Sequence, residues 1–295
     1  MRRNPLRRYR RPCERLRARV AERDASREPG CQPAWPTAAA RLTALGASVI
    51  KVEPPSGDPL AQYHPAYYQA LAAGQQVVRL DLKSPAELAR LDTLLAAADG
   101  LITATRPAAL VRVGLDWPAL HDRCPRLCQV AIVGYSPPRE NEPGHDLTYQ
   151  AESGLLSPPQ LPRALLADLV GAEQAVTGLL ALLHARDRGQ EAGYLQVALS
   201  TAAQAMAQPL RYGITRPGAL LGGGFPGYNL YETRDGWIAL AALEAHFQQR
   251  LAAALGTALD REQLALRFKT KTAAEWQAWA RAHDLPVVAL SSASI

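Results

Sequence analysis

The sequence predicts an α/β protein: a large domain built on a parallel sheet, followed by a smaller α+β domain. Three observations carry this. Short β-rich runs alternate with helical runs between residues 35 and 135; a long apolar helix and a further strand–helix pair follow; and past residue 220 the alternation gives way to a hairpin signal. Strands separated by helices need crossover connections, and crossovers make neighbouring strands parallel.

The elements follow in order. Residues 38–45 have helical composition, Gly46 suits the position just past a helix end, and 48–52 form a β-rich run that Pro54, Pro55, Ser56 and Gly57 stop. Residues 77–82 predict a strand, 85–98 a helix, 100–103 a strand, 107–113 a helix and 127–133 a strand. A long apolar helix over about 167–186 closes on a polar turn at 187–193, then a strand-like 194–198 leads into a helix through Met206. Gly222, Gly223 and Gly224 read as a flexible connection, since no Lys or Ser/Thr follows to make a phosphate loop. Residues 228–231 and 237–242 flank Thr233, Arg234, Asp235 and Gly236, and Asp-Gly between β-rich runs is a strong hairpin signal. The expected limits are an Arg-rich, poorly ordered segment over 1–34, a large domain over 35–220 and a small domain over 221–295.

Charge narrows the function classes. The net charge of +6 sits at one end: residues 1–28 hold 11 Arg against 4 acids, and the remainder holds 22 basic against 23 acidic residues, a balance of −1. A nucleic-acid face should spread over a folded surface with aromatics among the cations, so nucleic-acid binding is not expected. The acids Glu14, Glu22, Asp24 and Glu28 argue against a mitochondrial presequence. The most apolar stretch, 164–183, is interrupted by Asp168, Glu173 and Gln174, so no membrane span is expected. Cys13, Cys31, Cys124 and Cys128 have no C-x-x-C spacing, which favours free thiols in a cytoplasmic protein without a metal site. No G-x-G-x-x-G follows a strand, so a dinucleotide cofactor has no support.

Six phrases carry a resemblance: LGASVIKVEPPSGDP (45–59), VVRLDLKSP (77–85), TRPAALVRVGLDWPAL (105–120), PGHDLTYQAESGLL (143–156), ADLVGA (167–172) and YETRDGWIALAALEAHF (231–247). In order and content they resemble the successive blocks of family III CoA-transferases and 2-methylacyl-CoA racemases, the CaiB/BaiF-like group. The resemblance implies a Rossmann-like large domain plus a small domain, an interlocked homodimer with the active site between domains, an acyl-CoA substrate, and no cofactor beyond its CoA moiety.

The resemblance also implies roles. Asp168 matches the aspartate that attacks the thioester to give a mixed anhydride in the transferases and works as an acid/base in the racemases. A carboxylate does either, according to whether the carbonyl carbon or the α-proton lies within reach. His145 matches the histidine paired with that aspartate in the racemases, and two bases suit inversion, which removes a proton from one face and returns one to the other. Glu244 matches an acid that would orient His145, which places the resemblance nearer the racemase branch. Arg106 and Lys83 are the candidate cations for the CoA phosphates. Backbone N–H groups at the helix start around Asp168–Gly171 are the expected oxyanion donors. Judged on local sequence alone, His145 and Asp146 read as a loop pair capping a helix, Asp168 as an N-cap, and Glu244 as a helix-start acid.

The chain departs from the family pattern in places. Residues 1–34 lack an apolar strand, with PAWP (33–36) as a remnant of the usual turn. AAGQQ (72–76) replaces a basic loop, and only Gly171 remains of the glycines after Asp168. The chain stops soon after LPVVAL (285–290), so a truncated small-domain end is one expectation. The expected function is racemase-like α-proton abstraction and return by His145 and Asp168, with a CoA-transferase acting through Asp168 and a degenerate, non-catalytic relative as alternatives.

Overall fold

The computed structural model describes residues 20–21 and 34–290, so the expected disorder of the Arg-rich start lies almost wholly outside the described residues. The chain divides between Ala207 and Gln208, earlier than the 220/221 break read from the triple glycine.

The first unit runs β1 (Val20–Ala21), α1 (Ala34–Ala44), β2 (Ile50–Glu53), α2 (Pro59–Tyr63), α3 (Pro65–Ala72), β3 (Gln76–Arg79), α4 (Pro85–Ala96), β4 (Gly100–Thr103), α5 (Pro107–Val111), α6 (Trp117–Arg123), β5 (Cys128–Val133), α7 (Asp146–Glu152), α8 (Leu166–Asp187), β6 (Tyr194–Ala198) and α9 (Leu199–Met206). Every strand pair here is parallel, but the hydrogen bonds make two sheets: β1-β4-β5-β6, and β2-β3 apart. β1 corrects the expectation that 1–34 holds no strand. Val20 and Ala21 pair with Gly100 and Leu101 despite their arginine neighbours, because a ladder is made by backbone groups.

Alternation along the strands splits the side chains between two cores. Ile102, Cys128, Val130 and Ile132 face α1 and α8, whereas Leu101 and Leu127 join Leu91, Leu95, Leu110 and Leu120 from α4, α5 and α6. Helices on both faces of a parallel sheet make the Rossmann-like layering that the sequence predicts.

α8 is long and apolar enough to cross a membrane by length and composition, yet Ala167, Gly171, Ala172, Ala175, Val176, Leu179 and Leu183 are buried within this core. A Cβ at Gly178 would collide with Leu195, so the missing side chain lets the helix lie close on β6. At its far end, Arg186 donates to Asp99 Oδ1 at 3.0 Å and to the Arg126 carbonyl at 2.8 Å.

β2 holds a buried ion cluster. Lys51 and Glu53 are two residues apart and share a face; Lys51 Nζ lies 2.7 Å from Glu53 and 2.5 Å from Asp58, with the Trp35 and Tyr68 ring centroids 4.8 and 4.3 Å away. Tyr68 donates to Glu53 at 2.7 Å. Each buried charge thus has a partner, as burial requires.

The second unit runs α10 (Gln208–Arg211), a π-helical turn (Leu220–Gly224), β7 (Tyr228–Glu232), β8 (Trp237–Ala241), α11 (Ala245–Leu255), α12 (Arg261–Phe268), α13 (Ala273–Ala282) and β9 (Val287–Ala289), with the antiparallel sheet β7-β8-β9. Trp276, Phe268, Ile238, Leu240 and Leu251 form its core. The triple glycine is an ordered turn rather than a linker. The Gly223 carbonyl accepts from Asn229 at 3.1 Å and Arg261 at 3.0 Å, and a Cβ at Gly222 would overlap the Arg216 carbonyl. The hairpin forms as expected. Asp235 does more than turn the chain: its carboxylate accepts the Ala273 N–H at 2.8 Å, at the start of α13.

Candidate active site

The residues around Asp168 come together where α7 and α8 begin. Asp168 lies in the first turn of α8, two residues past its first residue, and Leu165 rather than Asp168 occupies the N-cap position. Only 2% of Asp168 is exposed, and its Oδ1 has no hydrogen-bond partner. Asp146, the first residue of α7 and 4% exposed, faces it. Asp146 Oδ1 accepts the backbone N–H of Asp168 at 3.1 Å, and its Oδ2 accepts from the Gln150 amide, which also donates to the Ala164 carbonyl at 3.1 Å. One carboxylate therefore ties the start of α7 to the start of α8.

The electrostatics follow from that packing. Burial, and then the negative charge of Asp146, push the Asp168 carboxyl up from 3.8 to about 7. The positive end of α8 favours ionisation there, but such dipole effects reach about 2 kcal/mol at most, and desolvation outweighs them. The result is a carboxyl poised between its two forms near neutral pH, as suits a nucleophile or an acid/base.

The α8 amides do not serve as first expected. The Asp168 N–H is occupied by Asp146, and Gly171 is a packing residue, since a Cβ there would collide with Leu199 of α9.

His145 is the exposed N-cap residue of α7, one position before Asp146. Its backbone N–H donates to Thr148 Oγ1 at 3.1 Å, and Thr148 Oγ1 donates back to the His145 carbonyl at 2.8 Å. His145 is thus the chain neighbour of Asp146, which in turn contacts Asp168. Arg106, exposed at the N-cap of α5, acts electrostatically on Tyr149 of α7, as Asp168 does. Lys83 stands apart: it is exposed in the turn before α4, its backbone N–H donating to Asp81 at 3.0 Å. Glu244 belongs to the second unit as the exposed N-cap residue of α11 and makes no side-chain cap there. Among the described residues, no group of three or more His, Cys, Asp or Glu side chains is arranged to hold a metal ion.

The sequence model of CoA-transferase family III matches residues 33–294. The chain belongs to CoA-transferase family III. A CaiB/baiF CoA-transferase family protein of Caenorhabditis elegans is 28% identical over 241 residues, covering 72% of this chain and 71% of that protein. A succinate–glutarate CoA-transferase of Agrobacterium fabrum is 30% identical over 253 residues, covering 76% of this chain and 63% of its own length. This family III chain therefore spans about two thirds of the length of the curated relatives it matches. Among solved structures, a hypothetical protein of Mycobacterium tuberculosis superposes with a TM-score of 0.79 at 25% identity, covering 95% of this chain and 87% of the other. A CAIB/BAIF family protein from Brucella suis has a TM-score of 0.76 at 20% identity, covering 94% and 84%, which shows the shared fold.

Within the family III block 143–156 the resemblance assigns a role to His145, while Asp146 reads only as its helix-capping neighbour and Tyr149 and Gln150 carry no expectation. One local signal was available: Asp146 and Gln150 are four apart, the spacing at which Gln and Asp pair along a helix.

Proposed function

We propose that the chain is an acyl-CoA enzyme whose reacting group is the Asp168 carboxyl, and that CoA transfer between carboxylic acids is its reaction. The observation that carries this is the Asp168 Oδ1 itself: a buried carboxyl oxygen with no partner, held by Asp146 at a helix start. Such a group is costly to keep in a core, and its persistence points to chemistry. Ionised Asp168 would attack the thioester carbonyl carbon, the C–S bond would break with CoA leaving as thiolate, and a mixed anhydride would remain; the thiolate would attack the Asp168 carbonyl of that anhydride and release the donor as a carboxylate, and the acceptor carboxylate would then attack the Asp168–CoA thioester, giving a second anhydride from which the thiolate takes the acceptor acyl group and frees Asp168. The relatives' names support transfer. In this reading Arg106 and Lys83 serve the CoA phosphates, and the protein is a cytoplasmic homodimer.

A second reading, racemase-like exchange of the α-proton, is favoured by the placement of His145 beside Asp146. Glu244 enters this reading through the family resemblance.

One experiment separates the two. The purified protein is incubated in deuterium oxide with a 2-methylacyl-CoA, with and without a carboxylic acid acceptor, beside Asp168→Ala. CoA appearing on the acceptor only with intact Asp168 establishes transfer. Deuterium at the α-carbon, lost in His145→Ala, establishes the racemase reading, and neither signal in the wild type refutes both.

A further inference from the structure

Gln150 of α7 is 1% exposed and stands one turn after Asp146. Its amide group donates twice, to Asp146 Oδ2 and to the Ala164 carbonyl at 3.1 Å, while its own Oε1 has no partner. The surroundings set this orientation, because a flipped amide would turn its oxygen toward acceptors that repel it. A buried side chain that leaves its acceptor empty to keep both donors in place is unusual, and the donors show what it holds. One ties the loop before α8 to α7. The other lands on a carboxylate that faces a second carboxyl, Asp168.

Asp146 and Asp168 form an uneven pair. Two adjacent buried carboxyls do not readily ionise together, so a proton held between them goes to the member with fewer donors. Asp146 accepts on both oxygens, from the Asp168 N–H and from Gln150, and such bonds favour the charged form. The Oδ1 of Asp168 accepts from nothing. Neighbouring charges do not upset this ranking. α8 packs on α1, α7, α9 and strands β4 to β6. Arg41 of α1 pairs with Glu173 at 3.4 Å, α9 and β4 carry no ionisable side chain, and β5 and β6 add only Cys128 and Tyr194. His145 and Glu152 of α7 are exposed, as is Arg163 in the loop before α8, and Arg106 acts on Tyr149. We propose that Gln150 is a positioning residue for the proton of this pair: by holding Asp146 ionised, it assigns the proton to Asp168. Its consequence for catalysis rests on Asp168 being the reacting group, which holds that proton at low pH and must lose it to attack.

The test reads the proton at its site. In protein labelled with carbon-13 at the aspartate side-chain carboxyls, the Asp168 signal, identified by its loss in Asp168→Asn, is titrated by NMR. In the wild type it should move with a midpoint of about 7. Gln150→Met keeps the length of the side chain and removes its donors, so Asp146 shares the proton and the Asp168 midpoint should fall by about one pH unit. In Asp146→Asn no charge is left for Gln150 to hold, and adding Gln150→Met there should leave the midpoint unchanged. A midpoint in Gln150→Met within about 0.3 of the wild type, or an equal fall in both backgrounds, overturns the proposal. Gln150→Glu decides the matter if the methionine variant does not fold. Protonated, it keeps a donor for Asp146; ionised, it adds a negative charge. Either way the Asp168 midpoint should not fall, and a fall overturns the proposal. The rate at subsaturating acyl-CoA, followed over the same pH range, separates the two assignments. A rate profile displaced together with the Asp168 signal supports both. A signal that moves while the rate profile stays supports Gln150 as the residue that places the proton and refutes Asp168 as the reacting group.

Discussion

Asp146 and Asp168, 22 residues apart in the chain, are joined by a hydrogen bond from the backbone of one to the carboxylate of the other, 3.1 Å long and buried. The bond fixes where the Asp168 carboxyl sits and places a negative charge next to it. Asp146→Ala leaves the Asp168 N–H and one Gln150 N–H without acceptors, which should cost roughly 2–4 kcal/mol of stability. Asp146→Asn keeps an oxygen for the Asp168 N–H and gives up only the Gln150 contact, since a flipped Gln150 amide would turn its oxygen to the Ala164 carbonyl; it should lose about 1 kcal/mol, less than the alanine variant. Urea unfolding of the two variants checks the difference; equal losses would show that the bond does not hold the corner together.

In the proposed acyl transfer Asp168 reacts in its ionised form, and burial and Asp146 push its carboxyl up to about 7. At subsaturating acyl-CoA the rate should therefore rise tenfold per pH unit below that value and level off above it. In Asp146→Asn the like charge is gone and the midpoint should move to lower pH. A profile flat from pH 5 to 8 in the wild type would place the reactive carboxylate elsewhere.

The same shift makes a stability statement with a definite sign. Asp168 titrates near 3.8 when unfolded and about 7 when folded, so between those values the folded protein binds more protons than the unfolded chain. Folding is then disfavoured progressively as pH rises from 4 to 7, with the full penalty, a few kcal/mol, present above 7. Asp168→Asn removes that dependence. Relative to the wild type it should melt higher at pH 8, and the gap should close toward pH 4; a gap that does not change with pH contradicts the burial of the charge.

Two glycines in the second unit should respond in opposite ways. Gly222→Ala drives a methyl group into the Arg216 carbonyl, which no rotamer change relieves, and should cost more than about 2 kcal/mol. Gly236, in the hairpin turn, has nothing within 4 Å of a built Cβ and no positive φ, so Gly236→Ala should be tolerated. Thermal melts of both distinguish an ordered glycine turn from a slack connection.

Legibility in the sequence follows pattern length. α8 spans 22 residues, and β4 and β6 have sharp polar or glycine borders; all three are plain in the sequence. α2 and α3 are 5 and 8 residues long, and their start signals, Asp58-Pro59 and His64-Pro65, were passed over as punctuation although Asp58 and His64 accept the N–H groups of Leu60 and Tyr67. At the site, Asp168 and His145 are visible as residue types within family blocks. What sequence could not supply is the meeting of Asp146 with the backbone of Asp168, or of Tyr149 with Gly134, because both join segments distant in the chain.

The anchoring of Arg186 bears on how firmly the Asp168 end of α8 is aimed. A helix of 22 residues is about 33 Å long and stiff along its axis. With Asp146 gripping one end and Asp99 and the Arg126 carbonyl gripping the other, α8 resists sliding along its length like a bolt threaded at both ends. Precision at the Asp168 carboxyl is thus partly the property of an ion pair at the opposite end of the helix, where the central strands β4 and β5 begin.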